Sequence, residues 1–215
     1  MKIAVLGTGT VGVAIATKLV SLGHQVMMGS RTGRNDKAAG WAATTGNGAS
    51  SGTFGEAIRF GELIFNAVLG EVAIEVLGSA GTEALEGKII VDISNPLDFS
   101  KGMPPSNFVG NTDSLGEMIQ RTFPNTKVVK SLNTVAAPVM VNPSLISGDH
   151  DIFVCGNDSA AKVEVTRILT DWFGWKSVVD LGDVTASRVT EAWVLFWVRI
   201  MMITGSPMHN LKIVR

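Results

Sequence analysis

Short apolar runs recur along the chain, each ending in a turn signal and followed by a segment with helical spacing. Ile3 to Leu6 is the first; it meets glycines at 7, 9 and 12, and Val13 to Leu22 continues as an apolar helix. Gly23-His24 turns the chain into a second strand, Gln25 to Met28. Lys37 to Ser51, rich in Ala, Gly, Thr and Asn, predicts a short helix and then a loose loop without chemistry. Thr53-Phe54 ends a short third strand. Glu62 to Val68 is a fourth strand, apolar enough to be buried on both faces, with a helix from Leu69-Gly70 to about Ser79. Lys88 to Ser94 is the fifth. Asn95 to Thr112 shows no period and carries three prolines, so it is either a wall or lid of a site or a surface excursion. Ser114 and Glu117 are spaced as a capping box for a helix reaching Phe123, ahead of a sixth strand, Lys127 to Leu132.

Asp151 to Cys155 and Lys176 to Leu181 read as strands seven and eight, joined by a helix that Asn157-Asp158 caps and that reaches about Phe173. A last helix starts at Asp183 or Thr185 and runs to roughly Ile203, and Leu211 to Val214 closes the chain as a short strand. Strands and helices alternating in this way specify an α/β fold of Rossmann type: a doubly wound, mainly parallel sheet with a small C-terminal helical extension. Such sheets bind ligands beyond the carboxyl ends of their strands. The glycine turn, Val68-Leu69-Gly70 and Ser94-Asn95-Pro96 are therefore expected to face one crevice. Asn133 and Thr134, an amide and a hydroxyl at a strand's carboxyl end, are placed to hold a nicotinamide carboxamide or a bound acceptor. In the last helix, Trp193, Phe196, Trp197, Ile200 and Met201 spread too widely for one buried stripe. They predict a homodimer contact in preference to the lining of an apolar pocket.

A chain of 215 residues buries a sizeable core without staples. Its formal net charge of −1 argues against nucleic-acid or anionic-membrane binding. No signal segment is visible, and the longest apolar run, Ala192 to Thr204, is interrupted by Arg199 and too short to span a bilayer. The single cysteine, Cys155, excludes an internal disulfide framework and fits a cytoplasmic setting.

The chemistry begins in KIAVLGTGTVG, residues 2 to 12. Between a strand and a helix, G-x-G-x-x-G spacing suits a dinucleotide. Gly7 turns the chain sharply, Gly9 lets a pyrophosphate approach, and Gly12 lets the helix pack on the strand. The helix start offers unpaired N–H groups to the phosphates. An acid that would accept bonds from an adenosine ribose is missing after the second strand. Ser30, Arg31 and Arg34 stand there instead, which favours the 2′-phosphate of NADP(H). The three histidines are scattered and no metal-ligand spacing exists, so no metal site is expected. With no tyrosine, a Tyr/Lys proton-transfer pair is impossible. Asp92 is either a base or a tether for backbone amides, and Cys155 reads as packing. Without an evident acid, transfer between two rings fits better than carbonyl reduction, which needs a proton donor.

The phrases KIAVLGTGTVG, GSR, VDISNPLDFS, VVKSLNTV and FVCGND, in that order, resemble the coenzyme F420-dependent NADP oxidoreductase family. They are also similar to the cytosolic domain of the STEAP metalloreductases. The resemblance implies a Rossmann domain for NADP, frequent dimers, and hydride transfer between NADP(H) and a flavin or deazaflavin as second substrate. By position it implies a 2′-phosphate site at Thr8, Ser30, Arg31 and Arg34. It places the pyrophosphate on Gly7, Gly9, Thr10, Val11 and Gly12, and the ring-stacking region at Ser94, Asn95, Pro96 and Asn133. The archaeal deazaflavin enzymes of the family carry histidine where Asn133 stands, and a C-terminal helix with fewer tryptophans. Residues 1–150 are expected to hold NADP, and residues 151–215 to complete the sheet and supply the long apolar helix. The function expected is NADP(H)-dependent hydride transfer to a small planar acceptor. The alternative is a non-enzymatic NADP(H)-binding redox sensor that presents the last helix to a partner.

Overall fold

In a computed structural model describing residues 1–214, strand β1 (Lys2–Leu6) alternates its side chains between two apolar layers. Ile3 and Val5 enter one, and Ala4 and Leu6 the other. That double burial explains why the strand reads as a continuous apolar run. Helix α1 (Thr10–Ser21) follows, then β2 (Gln25–Ser30), α2 (Asp36–Thr45), β3 (Ala49–Thr53), α3 (Phe54–Phe60) and β4 (Leu63–Asn66). A 3₁₀ turn leads into α4 (Ala73–Gly78) and then β5 (Ile89–Asp92). A hairpin of β6 (Leu97–Asp98) and β7 (Ser106–Asn107) precedes α5 (Leu115–Thr122), β8 (Lys127–Ser131) and α6 (Ala137–Val141). The chain ends with β9 (Ile152–Gly156), α7 (Ser159–Arg167), β10 (Val178–Asp180) and α8 (Ser187–Thr204). A π-helical turn, Ile168–Trp172, carries α7 on to Phe173.

Eight strands form one sheet in the order β10-β9-β8-β5-β4-β1-β2-β3. Every neighbouring pair is parallel except β8 and β9. From β1 the chain winds outward through β2 and β3, then returns to the other side at β4. The point of reversal lies between β1 and β4, where such sheets hold ligands. One layer packs Ile15 and Leu19 of α1, Val139 of α6 and Val165 of α7 against the sheet; the other packs Ile58, Leu77 and Ile119 of α3, α4 and α5.

Several expectations are corrected. The loose loop before residue 53 is partly strand: β3 is a half-polar edge strand of small residues, paired only with β2. Helix α3 begins at once, closed by a reciprocal capping box of Thr53 and Glu56. The proposed box at Ser114 is one-sided. Ser114 Oγ accepts the Glu117 N–H at 3.2 Å, but the Glu117 carboxylate takes the Ser114 hydroxyl and Arg188 in place of the cap's backbone N–H. Residues 211 to 214 are not a strand. They are tethered instead, with Ile213 N–H and Lys212 Nζ donating to Asp151 at 2.7 and 2.9 Å.

The tryptophan-rich face of α8 is divided. Ser187, Thr190, Glu191, Val194 and Val198 form its buried stripe. Trp197 stacks on His209 from the chain's own C-terminal segment, at 5.0 Å between ring centroids. Phe196 and Ile203 stay 53% and 72% exposed. Among the described residues, no helix is long and apolar enough to cross a membrane.

Candidate functional site

The turn after β1 is dictated by its glycines. Gly7 has φ +115°, and a Cβ there would stand 2.6 Å from the carbonyl oxygen of Ala67, so neither backbone nor space admits a side chain. A Cβ on Gly12 would fall 2.0 Å from the Gly7 carbonyl oxygen, which lets α1 start tight against the turn. Around Gly9, the N-cap of α1, nothing lies within 4 Å of such a Cβ, and no side chain caps the helix. The first-turn N–H groups of α1 therefore open onto free space with the positive end of the helix dipole behind them. A pyrophosphate fits that cradle.

From it extends a crevice of about 700 Å³, lined by Gly7, Thr8, Gly9, Thr10, Val11 and Arg31 at one end. Val68, Leu69, Gly70, Ser94 and Asn95 line it further along, with Leu97 and Phe99 of the hairpin as a wall. The long irregular stretch is thus part of the site's boundary. Only Arg31 and Glu75 carry charge among the lining residues. A smaller depression beside Thr8 and Arg31 is lined by Ser30, Thr32, Asn35 and Phe54. Phe54 borders both spaces and was missed by sequence reasoning; its place directly after the Thr53 cap of a short helix was the available signal.

The remaining candidates lie differently. Ser30 is 3% exposed, and its hydroxyl donates to the Thr32 carbonyl at 2.7 Å, with the Gly52 carbonyl at 3.3 Å, so it shapes the loop that presents Arg31. Arg31 makes no ion pair among the described residues, and neither does Arg34, which is exposed and outside both linings. Gly12, Pro96, Asn133 and Thr134 lie behind the crevice surface. Asn133 and Asn95 lock to each other: Asn133 Nδ2 donates to Asn95 Oδ1 at 2.9 Å, and Asn95 Nδ2 to the Asn133 carbonyl at 3.0 Å. Leu132, just before, sits at φ +64°, a strained conformation for a bulky residue that aims Asn133 toward Asn95. Thr134 is buried and its hydroxyl has no partner.

Behind the crevice wall is a group that the sequence reading overlooked. Lys130, wholly buried, places Nζ 2.6 Å from Asp92, 2.8 Å from Glu191 and 2.7 Å from the Ser94 carbonyl. Burial alone would lower its pKa, but the two carboxylates outweigh that and hold the ammonium charged, above its ordinary value. Asp92 also accepts the Ser94 N–H and hydroxyl at 3.2 and 2.6 Å, so it tethers the turn and is not a free base. Cys155 is buried near this cluster, and burial pushes its thiol up to about 11, which agrees with a packing role. No group of His, Cys, Asp or Glu among the described residues is arranged to hold a metal.

The family model described as NADP oxidoreductase, coenzyme F420-dependent, matches residues 2–96. An F420-dependent NADP reductase of Methanocaldococcus jannaschii is 30% identical over 204 residues, covering 89% of this chain and 88% of that protein. The metalloreductase STEAP3 of Rattus norvegicus is 30% identical over 193 residues, which is 36% of its length. A crystal structure from Arthrobacter sp. FB24, provisionally assigned as an F420-dependent NADP-reductase, superposes over the full length of both chains with a TM-score of 0.94 and 47% identity. With a glycine cradle, a crevice at the point of reversal and full-length relatives of one kind, the chain belongs to the coenzyme F420-dependent NADP oxidoreductase family and is an NADP-dependent oxidoreductase.

Proposed function

We propose that NADP(H) lies along the crevice and exchanges a hydride with a flavin, a deazaflavin such as F420 or a similar planar acceptor. One observation carries this reading: the crevice has an unpaired cation, Arg31, at the adenosine end and no proton-donating His, Lys or Tyr among its lining residues. A carbonyl substrate would need such a donor, whereas transfer between rings needs alignment and exclusion of water. In this reading Arg31 takes the 2′-phosphate beside Thr8, with Arg34 reaching it only by a change of conformation. The N–H groups of Thr10 and Val11 take the pyrophosphate at Gly7 and Gly9, while Gly12 behind them lets α1 start against the turn. Val68, Leu69, Gly70, Ser94 and Asn95 border the nicotinamide, which supplies the hydride when bound. Asn133 fixes Asn95 from behind, and Leu97 and Phe99 keep water from the acceptor. Mixing the protein with NADPH and FMN, FAD, riboflavin, F420 or a quinone tests this: acceptor-dependent loss of nicotinamide absorbance is expected with at least one, and none with any of them refutes it.

The reading extends to a homodimer through α8, whose Phe196 and Ile203 lack cover within one chain. Residues 1–150 then carry the nucleotide and residues 151–215 the subunit contact. Sedimentation is expected to show a dimer that Phe196→Ser with Ile203→Ser converts to a monomer; a monomeric parent protein removes this part. A cytoplasmic setting, where the buried thiol stays reduced, completes it.

A further inference from the structure

One buried polar rung crosses the carboxyl ends of three neighbouring strands. Asn66 of β4 is the register partner of Asp92 of β5, and Asp92 that of Lys130 of β8. Asn66 Nδ2 donates to Asp92 Oδ1 at 2.9 Å, and Lys130 Nζ to Asp92 Oδ2 at 2.6 Å. Glu191 of α8 closes the row 2.8 Å from Lys130 and accepts the N–H groups of Leu115 and Gly116 at 2.9 and 3.0 Å. None of the four is more than 1% exposed.

These side chains lie one residue behind the crevice. Ala67 follows Asn66 into its lining, and Ile93 and Ser94 follow Asp92. Within the rung, two carboxylates face one ammonium. A single ion pair would cross-link the strands equally well, and well-packed apolar residues would do so at less cost in desolvation. The dipole at the start of α5 offsets about half a charge of the excess. The remainder acts on the crevice through protein, where screening is weaker than in water. A nicotinamide ring is neutral in NADPH and carries one positive charge in NADP⁺. Its hydride leaves with the electron pair, and the acceptor takes that hydride and one solvent proton.

We propose that the Asn66–Asp92–Lys130–Glu191 rung favours the oxidised, positively charged nicotinamide in the crevice and so promotes hydride release from NADPH. This rests on the NADP(H) reading above. The four residues touch neither ligand; they act by position and charge.

The test is calorimetric titration of the full chain with NADP⁺ and with NADPH separately, for the unmodified protein, Glu191→Gln and Asp92→Asn, with circular dichroism as a check on folding. Each variant removes one negative charge and is expected to weaken NADP⁺ relative to NADPH by about two- to tenfold. Loss of packing alone moves both affinities together, so an unchanged ratio in a folded variant overturns the proposal. The unmodified protein gives a readout that no folding failure can obscure. NADP⁺ is expected to bind it at least as tightly as NADPH, and a clear preference for NADPH overturns the proposal. Binding of neither form brings down the nucleotide reading and this inference with it; binding of both at an unmoved ratio brings down the inference alone.

Discussion

Replacing Arg31 with alanine tests the contact proposed to distinguish the two nicotinamide cofactors. The side chain stands where the crevice meets the depression beside Thr8, and it gives up no ion pair when removed. A 2′-phosphate carries about −1.5 to −2 charge near neutral pH, and a charge-assisted hydrogen bond contributes about 1.5–3 kcal/mol. Arg31 is exposed, so water and salt screen it and the lower part of that range applies. The expected loss is about 1.5–2 kcal/mol for NADPH, or roughly 10- to 30-fold in Kd. NADH lacks the phosphate and should weaken less than about twofold. Arg31→Lys keeps the charge without the planar fork and should fall between. Nucleotide fluorescence titrations at low and high salt read all of this, and the gap between cofactors should narrow as salt rises. Equal weakening of NADPH and NADH by Arg31→Ala would show that the guanidinium does not meet the phosphate. Tighter NADH than NADPH in the unmodified protein would do so more directly.

Gly12→Ala puts a methyl group against the Gly7 carbonyl; it should abolish nucleotide binding and lower stability by about 1–3 kcal/mol in a denaturant titration, whereas wild-type behaviour in both refutes the packing argument. Cys155, its thiol pushed up to about 11 by burial, should resist alkylation in the folded protein near pH 8 and react fully once unfolded, as mass spectrometry would report. At Asp151 burial alone would raise the carboxyl, but bonds from Ser177, Ile213 and Lys212 outweigh it and hold the group below its ordinary value of 3.8. Its contribution is then complete above about pH 4 and lost as pH falls through the folded-state value. Asp151→Asn should accordingly be about 1–2 kcal/mol less stable than the parent near neutrality. That difference should shrink in acid, and one that grew in acid would reverse the assignment.

The first strand, its glycine turn and α1 are legible because three glycines and an apolar run meet with no competing pattern. β3 is legible only at its end: Thr53 closes the third strand as expected, but Ala49 to Ser51 are small and half polar, as suits an edge strand, and leave no alternation to set them apart from the preceding loop. Helix α3 hides in seven residues, although Thr53 and Glu56 carried its start signal. The crevice liners follow from strand ends, so Val68 to Gly70, Ser94 and Asn95 could be placed without coordinates. Depth was not available from the same source. Asn133 and Thr134 occupy the right strand end but lie under the surface because Leu132 turns the chain inward. Lys130 carries no signal of its own inside the sixth strand; its partner Asp92 is given by register and Glu191 by helix packing, neither of which is local in sequence.

The reversal at β9 limits what the crevice can accept. Because β9 runs against β8, α7 begins at the opposite edge of the sheet and points its electropositive terminus away from the crevice. The far flank therefore supplies no second phosphate cradle from a crossover helix. A negatively charged ligand entering from that side gains nothing from the N–H groups that begin α7, and any grip on its charge has to come from other parts of the chain.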